Sequence, residues 1–153
     1  MAASTYVKTA LAVTATAVAG SIATKPGSVW YRRLDKPRWQ PPSAAFPLVW
    51  TPLYGLLAFA GARVLDRTEG GRRAAFGRSY AANLVLNAGW TAVFFRYRNP
   101  RAALVEIAVL NVSNLDLLRR AWQADPAAAA AIGPYVAWTA FATALTASIA
   151  ARN

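Results

Sequence analysis

The chain has 153 residues, 56% of them hydrophobic and 15% charged, with a mean hydropathy of +0.27; soluble domains usually carry about 25% charged residues, so one membrane domain spanning 1–153 is expected. Cysteine and histidine are both absent, which excludes disulfides, thiolate metal sites, the usual general base and the usual haem ligand, and no metal site is expected. The formal charge of +11 would suit a phosphate backbone, but the basic residues fall between apolar runs and form no reading module, so no nucleic-acid partner is expected.

A membrane-crossing helix needs roughly 20 mostly apolar residues, and five segments approach this. The first runs over about 5–24, with Lys8 able to snorkel. Its basic residue, apolar stretch and small residues near Ala17-Val18-Ala19 also resemble a secretory signal peptide. A long loop over 25–42 follows. The second helix covers about 43–65, its first twenty residues free of charge and punctuated by Pro47 and Pro52, each of which removes a backbone donor. The third, 79–95, is short and bounded by Arg78 and Arg96. The fourth, 102–122, carries Glu106 and Asp116, and the fifth, 127–151, is long enough to cross with tilt. The expected fold is therefore all-α, an integral membrane bundle of five transmembrane helices.

Basic residues divide almost evenly between the two loop faces. One face carries Lys25, Arg32, Arg33, Lys36, Arg38, Arg96, Arg98, Arg101 and Arg152; the other carries Lys8, Arg63, Arg67, Arg72, Arg73, Arg78, Arg119 and Arg120. Acidic Asp66, Glu69 and Asp125 dilute the second set. The favoured orientation places the N-terminus outside and the C-terminus in the cytoplasm.

Helical spacing gathers aromatic and amide side chains into stripes: Phe46, Trp50 and Tyr54 on the second helix; Asn83, Asn87, Trp90 and Phe94 on the third; Tyr135, Trp138, Ala142 and Leu145 on the fifth. The stripes fit either an aromatic interface belt with ordinary helix contacts or the walls of a cavity, and Trp90 and Trp138 lie too deep in their spans for a belt. The loop adds Trp30, Tyr31, Trp39 and Pro41 beside the cations Arg32, Arg33, Lys36 and Arg38. Flat π-faces next to cations, at the mouth of an apolar segment, suit a large planar ligand with negative groups. Asp116 is placed to pair with Arg120 at i+4. Glu106 is expected to bond to a neighbouring helix or to basic loop residues, and Asn111 and Asn114 to bridge helices. On the first helix, Ala12, Thr16 and Gly20, and likewise Ala15, Ala19 and Ala23, form rows of small residues that allow close helix approach, within the chain or between two copies.

Taken together, these strings resemble the TspO/MBR family, the tryptophan-rich sensory proteins related to the mitochondrial translocator protein. The strings are Trp30-Tyr31, Leu34, Lys36-Pro37, Trp39, Pro41-Pro42, Phe46, Val49-Trp50 and Leu53-Tyr54; then Leu86-Asn87, Trp90 and Phe94-Phe95; then Pro134-Tyr135, Trp138, Phe141-Ala142-Thr143 and Leu145; and a terminal Arg152-Asn153. They extend over essentially the whole chain.

The resemblance implies five transmembrane helices, the first of them obligatory, in a homodimer in a bacterial cell membrane, with a cavity near the long loop. It implies binding of tetrapyrroles such as protoporphyrin IX or haem, and of sterol-like hydrophobic molecules, with no required cofactor. Trp50 and Trp138 match tryptophans linked to light- and oxygen-dependent porphyrin breakdown, which makes porphyrin degradation the enzymatic alternative. Tyr31, Pro41, Asn87, Trp90 and Ala142 match cavity positions, and Trp30 and Trp39 match loop aromatics implicated in porphyrin binding. Thr146 stands where the family often has asparagine, so contacts inferred for that turn are not carried over. A small proton-coupled exporter relying on Glu106 is the further alternative, since such proteins need an intramembrane carboxylate.

Overall fold

The computed structural model describes every residue except Met1, Lys25, Pro26, Ser43 and Ala44, and leaves the side chains of Ala2 and Ala3 undescribed. Lys25, expected among the loop cations, and the expected start of the second helix at residue 43 therefore lie outside the described residues. Six α-helices account for most of the chain: α1 (Ala2–Ala23), α2 (Val29–Arg33), α3 (Ala45–Asp66), α4 (Gly70–Thr91), α5 (Pro100–Ala124) and α6 (Pro126–Arg152), with a π-helical turn over Ala92–Arg96. Three of them, α1, α3 and α6, are long and apolar enough to cross a membrane by length and composition. The five long helices pack in a closed ring, α1 beside α3, then α6, α5 and α4, which returns to α1.

α4 begins nine residues before the expected position, so Arg72, Arg73 and Arg78 are helical and not part of a loop. Arginine and alanine are good helix formers, and the single Gly77 among them does not break the helix. Gly70 itself takes a left-handed φ of 57°, a conformation open to glycine without steric cost, and lets a three-residue connection turn the chain from α3 into α4. α2 is short and lies within the long loop; Ser28 caps it by accepting from the Tyr31 amide.

The sequence fits the helix ends elsewhere. Asn99 accepts from the Ala102 amide, with Pro100 opening α5. Asp125 accepts from the Ala127 amide, with Pro126 opening α6. Proline at the first helical position removes a donor that would be unsatisfied anyway. Inside α3, Pro52 leaves a carbonyl of the preceding turn without its amide, while the Thr51 hydroxyl donates to Pro47 O at 2.7 Å.

Side-chain contacts lock the end of the bundle remote from the loop. Tyr80 packs on Gly61 so closely that a β-carbon there would lie 2.6 Å from the ring, and its hydroxyl donates to Leu57 O at 2.8 Å. Arg63 of α3 forms an ion pair with Asp125, and Arg67 lies 3.7 Å from the same carboxylate. The expected pair of Asp116 and Arg120 is present at 3.0 Å, joined by Arg119 at 2.9 Å and by a Ser79 hydroxyl at 2.8 Å.

Candidate functional site

A cavity of about 350 Å³ opens at the other end of the ring, beneath the long loop. Its aromatic wall comes from Phe46, Trp50 and Tyr54 of α3, Trp90 of α4, Phe94 and Phe95 of the π-helical turn, and Tyr31 of α2. Asn87 sits at its floor, and Leu145, Thr146 and Ile149 of α6 close the back.

The π-helical turn has a direct geometric effect. Consecutive α-helical residues point about 100° apart, whereas here both Phe94 and Phe95 approach one ring: Tyr31 lies 6.2 Å from the first and 5.2 Å from the second, centroid to centroid. Trp30 meets Phe94 edge-on at 5.6 Å, so α2 is clamped over the cavity by three aromatic contacts. Insertions of this kind in helices recur at functional sites.

Trp50 lies at the junction of two sets of rings. It stacks on Tyr54 at 5.4 Å and meets Tyr135 and Trp138 edge-on at 6.1 and 6.5 Å. Trp138 is therefore behind the wall, held between Phe46 at 6.0 Å and Phe141 at 5.1 Å. The sequence stripes thus converge, but in two layers. Phe46, Trp50, Tyr54, Asn87, Trp90, Phe94, Leu145 and Tyr31 line the cavity, while Tyr135, Trp138 and Ala142 back it.

Tyr135 is fully buried because its hydroxyl is spoken for. It receives a hydrogen bond from Asn87 Nδ2 at 3.1 Å and donates to Asn83 Oδ1 at 2.8 Å. Tyr54 donates to Asn87 Oδ1 at 2.9 Å. Asn83 Nδ2 continues to Asn114 Oδ1 at 2.7 Å and to Ser113 Oγ at 3.0 Å. A single file of hydrogen bonds thereby runs from the cavity floor through α4 and α6 to α5. Asn111 adds a bridge to Thr143 of α6 at 2.7 Å. Asn111 and Asn114 bridge helices as their sequence positions suggest.

Apart from Tyr31, the loop residues form a roof and not a wall. Trp39 is half-exposed and rests edge-on against Phe141 at 5.7 Å. Trp30 and Pro41 are partly buried without lining the cavity. Arg32, Arg33 and Arg38 are exposed. Lys36 lies 4.5 Å from the Tyr31 ring centroid, a cation–π contact. Tyr31 donates no proton to solvent readily: burial raises its hydroxyl pKa, partly offset by the hydrogen bond that Gln40 Nε2 gives it at 2.7 Å. The roof is fastened to the end of α6 by Asn153, whose amide accepts from Asp35 N at 3.1 Å and donates to Asp35 O at 2.9 Å.

The wall contributed by α1 was not legible as such in the sequence. Ala17, Gly20, Ser21 and Thr24 all line the cavity, and of these Gly20 alone belongs to the rows of small residues expected to pack closely. Their small side chains leave room opposite Phe46, Pro47 and Trp50. Gly20 also approaches α4, with a β-carbon position 3.6 Å from Thr91 Oγ1, so this one residue serves both purposes. Thr146 also lines the cavity, its hydroxyl returned to Ala142 O at 2.8 Å. Glu106 departs from expectation too: neither carboxylate oxygen has a hydrogen-bond partner among the described residues, nor does any ion pair include it.

Among the described residues no cluster of metal-ligating side chains occurs. The chemistry of the lining is consequently that of π-faces, two tyrosines, one amide and small hydroxyls.

Comparison with known proteins agrees with this architecture. Residues 9–152 match the model of the TspO/MBR family. The chain is 38% identical over 116 residues to a tryptophan-rich sensory protein of Cereibacter sphaeroides, covering 76% of this chain and 72% of that one. It is 38% identical over 138 residues to the tryptophan-rich protein TspO of Chlorobaculum tepidum, covering 88% and 87%. The translocator protein of Homo sapiens is 32% identical over 121 residues, covering 78% of this chain and 72% of its own length. The apolar helices, the layered tryptophans and these matches lead to one conclusion: the chain is an integral membrane protein of the TspO/MBR family.

Proposed function

We propose that the protein binds a flat hydrophobic tetrapyrrole, such as protoporphyrin IX, in the cavity beneath the loop, as a membrane receptor or carrier. The observation that carries this reading is the cavity lining: seven aromatic side chains drawn from α2, α3, α4 and the π-helical turn around about 350 Å³, within the usual range of roughly 300–1,000 Å³ for small-molecule sites. Burying an aromatic macrocycle against such walls is favourable at about 25 cal/mol per Å² of apolar area. Ser21 and Pro47 are exposed although they line the cavity, so a wide ring enters with one edge toward the lipid.

The cations of the roof suit the carboxylates of such a ligand, with Arg32, Arg33, Lys36 and Arg38 orienting it more than tightening it, because exposed pairs contribute little. With tyrosine as the strongest potential metal ligand in the lining, metal-free porphyrin is accommodated at least as readily as haem. All five long helices cross the bilayer in this reading; α4 and α5 are carried by the amide network that satisfies their polar groups. The N-terminus faces outward, and a second copy of the chain pairs with the first.

The test is quenching of tryptophan fluorescence by protoporphyrin IX in detergent-solubilised protein. Saturable quenching, weakened in Trp50→Leu and Trp90→Leu, supports the assignment. Quenching that never saturates, or is indifferent to both substitutions, removes it.

A second reading, light- and oxygen-dependent breakdown of the bound ring, draws on one observation. Trp50 at the cavity wall is backed edge-on by Trp138 at 6.5 Å, a geometry suited to passing an oxidising equivalent inward from the ligand. Bleaching of bound protoporphyrin under illumination, lost in Trp50→Phe and Trp138→Phe while binding persists, supports it. Equal bleaching in all three proteins leaves binding alone.

A further inference from the structure

The buried polar side chains of this bundle are mostly matched in hydrogen bonds, as Asn83, Asn87, Asn111, Tyr80 and Tyr135 illustrate. Glu106 of α5 is the exception that carries an ionisable group. Both its oxygens are buried without a hydrogen-bond partner among the described residues. The carboxyl lies against Gly89 of α4, where a β-carbon would fall 2.9 Å from Oε2. The slot exists because residue 89 has no side chain. Trp90 follows immediately, lining the cavity with its indole, and its Nε1 is likewise buried and unpartnered. The carboxyl thus sits one residue behind the cavity wall.

Among the described residues the surroundings offer no countercharge. Along α4, Ser79 to Thr91 include no charged residue; along α6, Pro126 to Ala151 include none. The titratable groups on the facing helices are hydroxyls. Tyr135 of α6 is committed to Asn83 and Asn87, Tyr54 of α3 to Asn87 and Tyr80 of α4 to Leu57 O. Arg96 of the π-helical turn and Arg101 of α5 are exposed, and Asp116 of α5 is occupied by Arg119 and Arg120. An ionised carboxylate without a partner in an apolar interior is strongly disfavoured, whereas the neutral acid is tolerated.

We propose that Glu106 is a proton-binding site built into the bundle, and that its charge state sets the affinity of the adjoining cavity for an anionic ligand. With the proton bound, the slot behind Gly89 and Trp90 is neutral. Loss of the proton to bulk solvent leaves one negative charge in a poorly screened position beside the cavity, and a carboxylate-bearing ligand is repelled. The first half stands on the packing of Glu106 alone; the second rests on the tetrapyrrole reading above.

The experiment has two arms. In the first, infrared spectra of the ligand-free protein in lipid are recorded from about pH 6 to about pH 9. A deuterium-sensitive carbonyl band of a protonated carboxylic acid is expected at the acidic end, fading as pH rises and missing from Glu106→Gln, which keeps the shape of the side chain. Gly89→Ala, which crowds the carboxyl, should shift that band. Lack of an acid band at about pH 6 overturns the proton site.

In the second arm, protoporphyrin IX affinity is measured over the same range. The wild-type protein should lose at least about fivefold in affinity beyond the change seen in Glu106→Gln, a coupling of ordinary size between two sites. Parallel pH profiles in the two proteins overturn the coupling. Failure of protoporphyrin to bind at any pH, with the acid band intact, overturns the tetrapyrrole reading and with it the coupling, while the proton site is retained.

Discussion

The two ends of the bundle are built on opposite rules. At the end formed by Gly61, Tyr80, Arg63 and Asp125, side chains meet in close contact: a ring pressed on a glycine and a carboxylate shared between two arginines. At the end beneath the loop, small residues of α1 face large rings of α3 and α4, and the difference in size is left as space. The same kind of residue has different consequences in the two places. Gly61 is filled by its neighbour; Ala17 and Ser21 face the space, and Gly20 meets Thr91 at ordinary contact distance. A small residue in a membrane helix permits approach, and whether approach follows depends on what the opposite helix presents.

Substitutions can break each end separately. The largest effect is expected for Gly61→Ala, which sets a β-carbon 2.6 Å from the Tyr80 ring and displaces a buried, hydrogen-bonded tyrosine, at about 2–3 kcal/mol. Thermal unfolding in detergent measures it, and protoporphyrin affinity at the remaining folded fraction should be unchanged. Next comes Asn83→Ala, which strips partners from Tyr135, Ser113 and Asn114. At about 0.6 kcal/mol per interhelical hydrogen bond in membranes, three bonds amount to about 2 kcal/mol. Because Asn83 joins the locked end to the cavity floor through Tyr135, this variant should also loosen ligand binding, which Gly61→Ala should not.

Trp50→Leu is expected to act the other way round. It removes the ring at the junction of both aromatic layers and should weaken protoporphyrin binding about tenfold, or about 1.4 kcal/mol, with less effect on unfolding temperature than either change above. The smallest effect belongs to acid. Hydrogen bonding from Arg63 holds the Asp125 carboxyl below the usual carboxylate range, helped by the Ala127 amide and by the charges of Arg63 and Arg67. Its stabilising contribution is complete above the unfolded-state pKa of about 3.9 and is lost as pH falls through the lower folded value. Unfolding temperature should therefore drop on acidification below about pH 4, and the drop should be smaller in Asp125→Asn.

Much of this organisation could be read from the residues in order. The apolar runs of α1, α3 and α6 and the spacing of Trp50, Trp90 and Phe94 all carry their own geometry. The start of α4 could not be read from hydrophobicity, because Arg72, Arg73 and Arg78 make its first turns polar while favouring helix. Tyr135 and Trp138 share a stripe with Leu145, yet Leu145 lines the cavity and they stand behind it. Periodicity fixes the face of a helix but not the depth at which that face meets its neighbours. The cavity wall from α1 was hidden for a related reason: alanine and serine look alike in sequence whether they touch another helix or a space.

The file of hydrogen bonds from Tyr54 to Asn114 has a direction, and the direction reaches the cavity. Each tyrosine hydroxyl spends its proton on the next asparagine oxygen, Asn87 and Asn83 give amide hydrogens onward, and the file ends at Asn114, whose Nδ2 has no partner among the described residues. Tyr54 is the first link, so what its oxygen turns toward a guest is a lone pair. A guest bound as proposed would find an acceptor for an inward-facing N–H or O–H at the Tyr54 oxygen, whereas the donor open to a guest carbonyl is the unpaired Trp90 Nε1 of the wall.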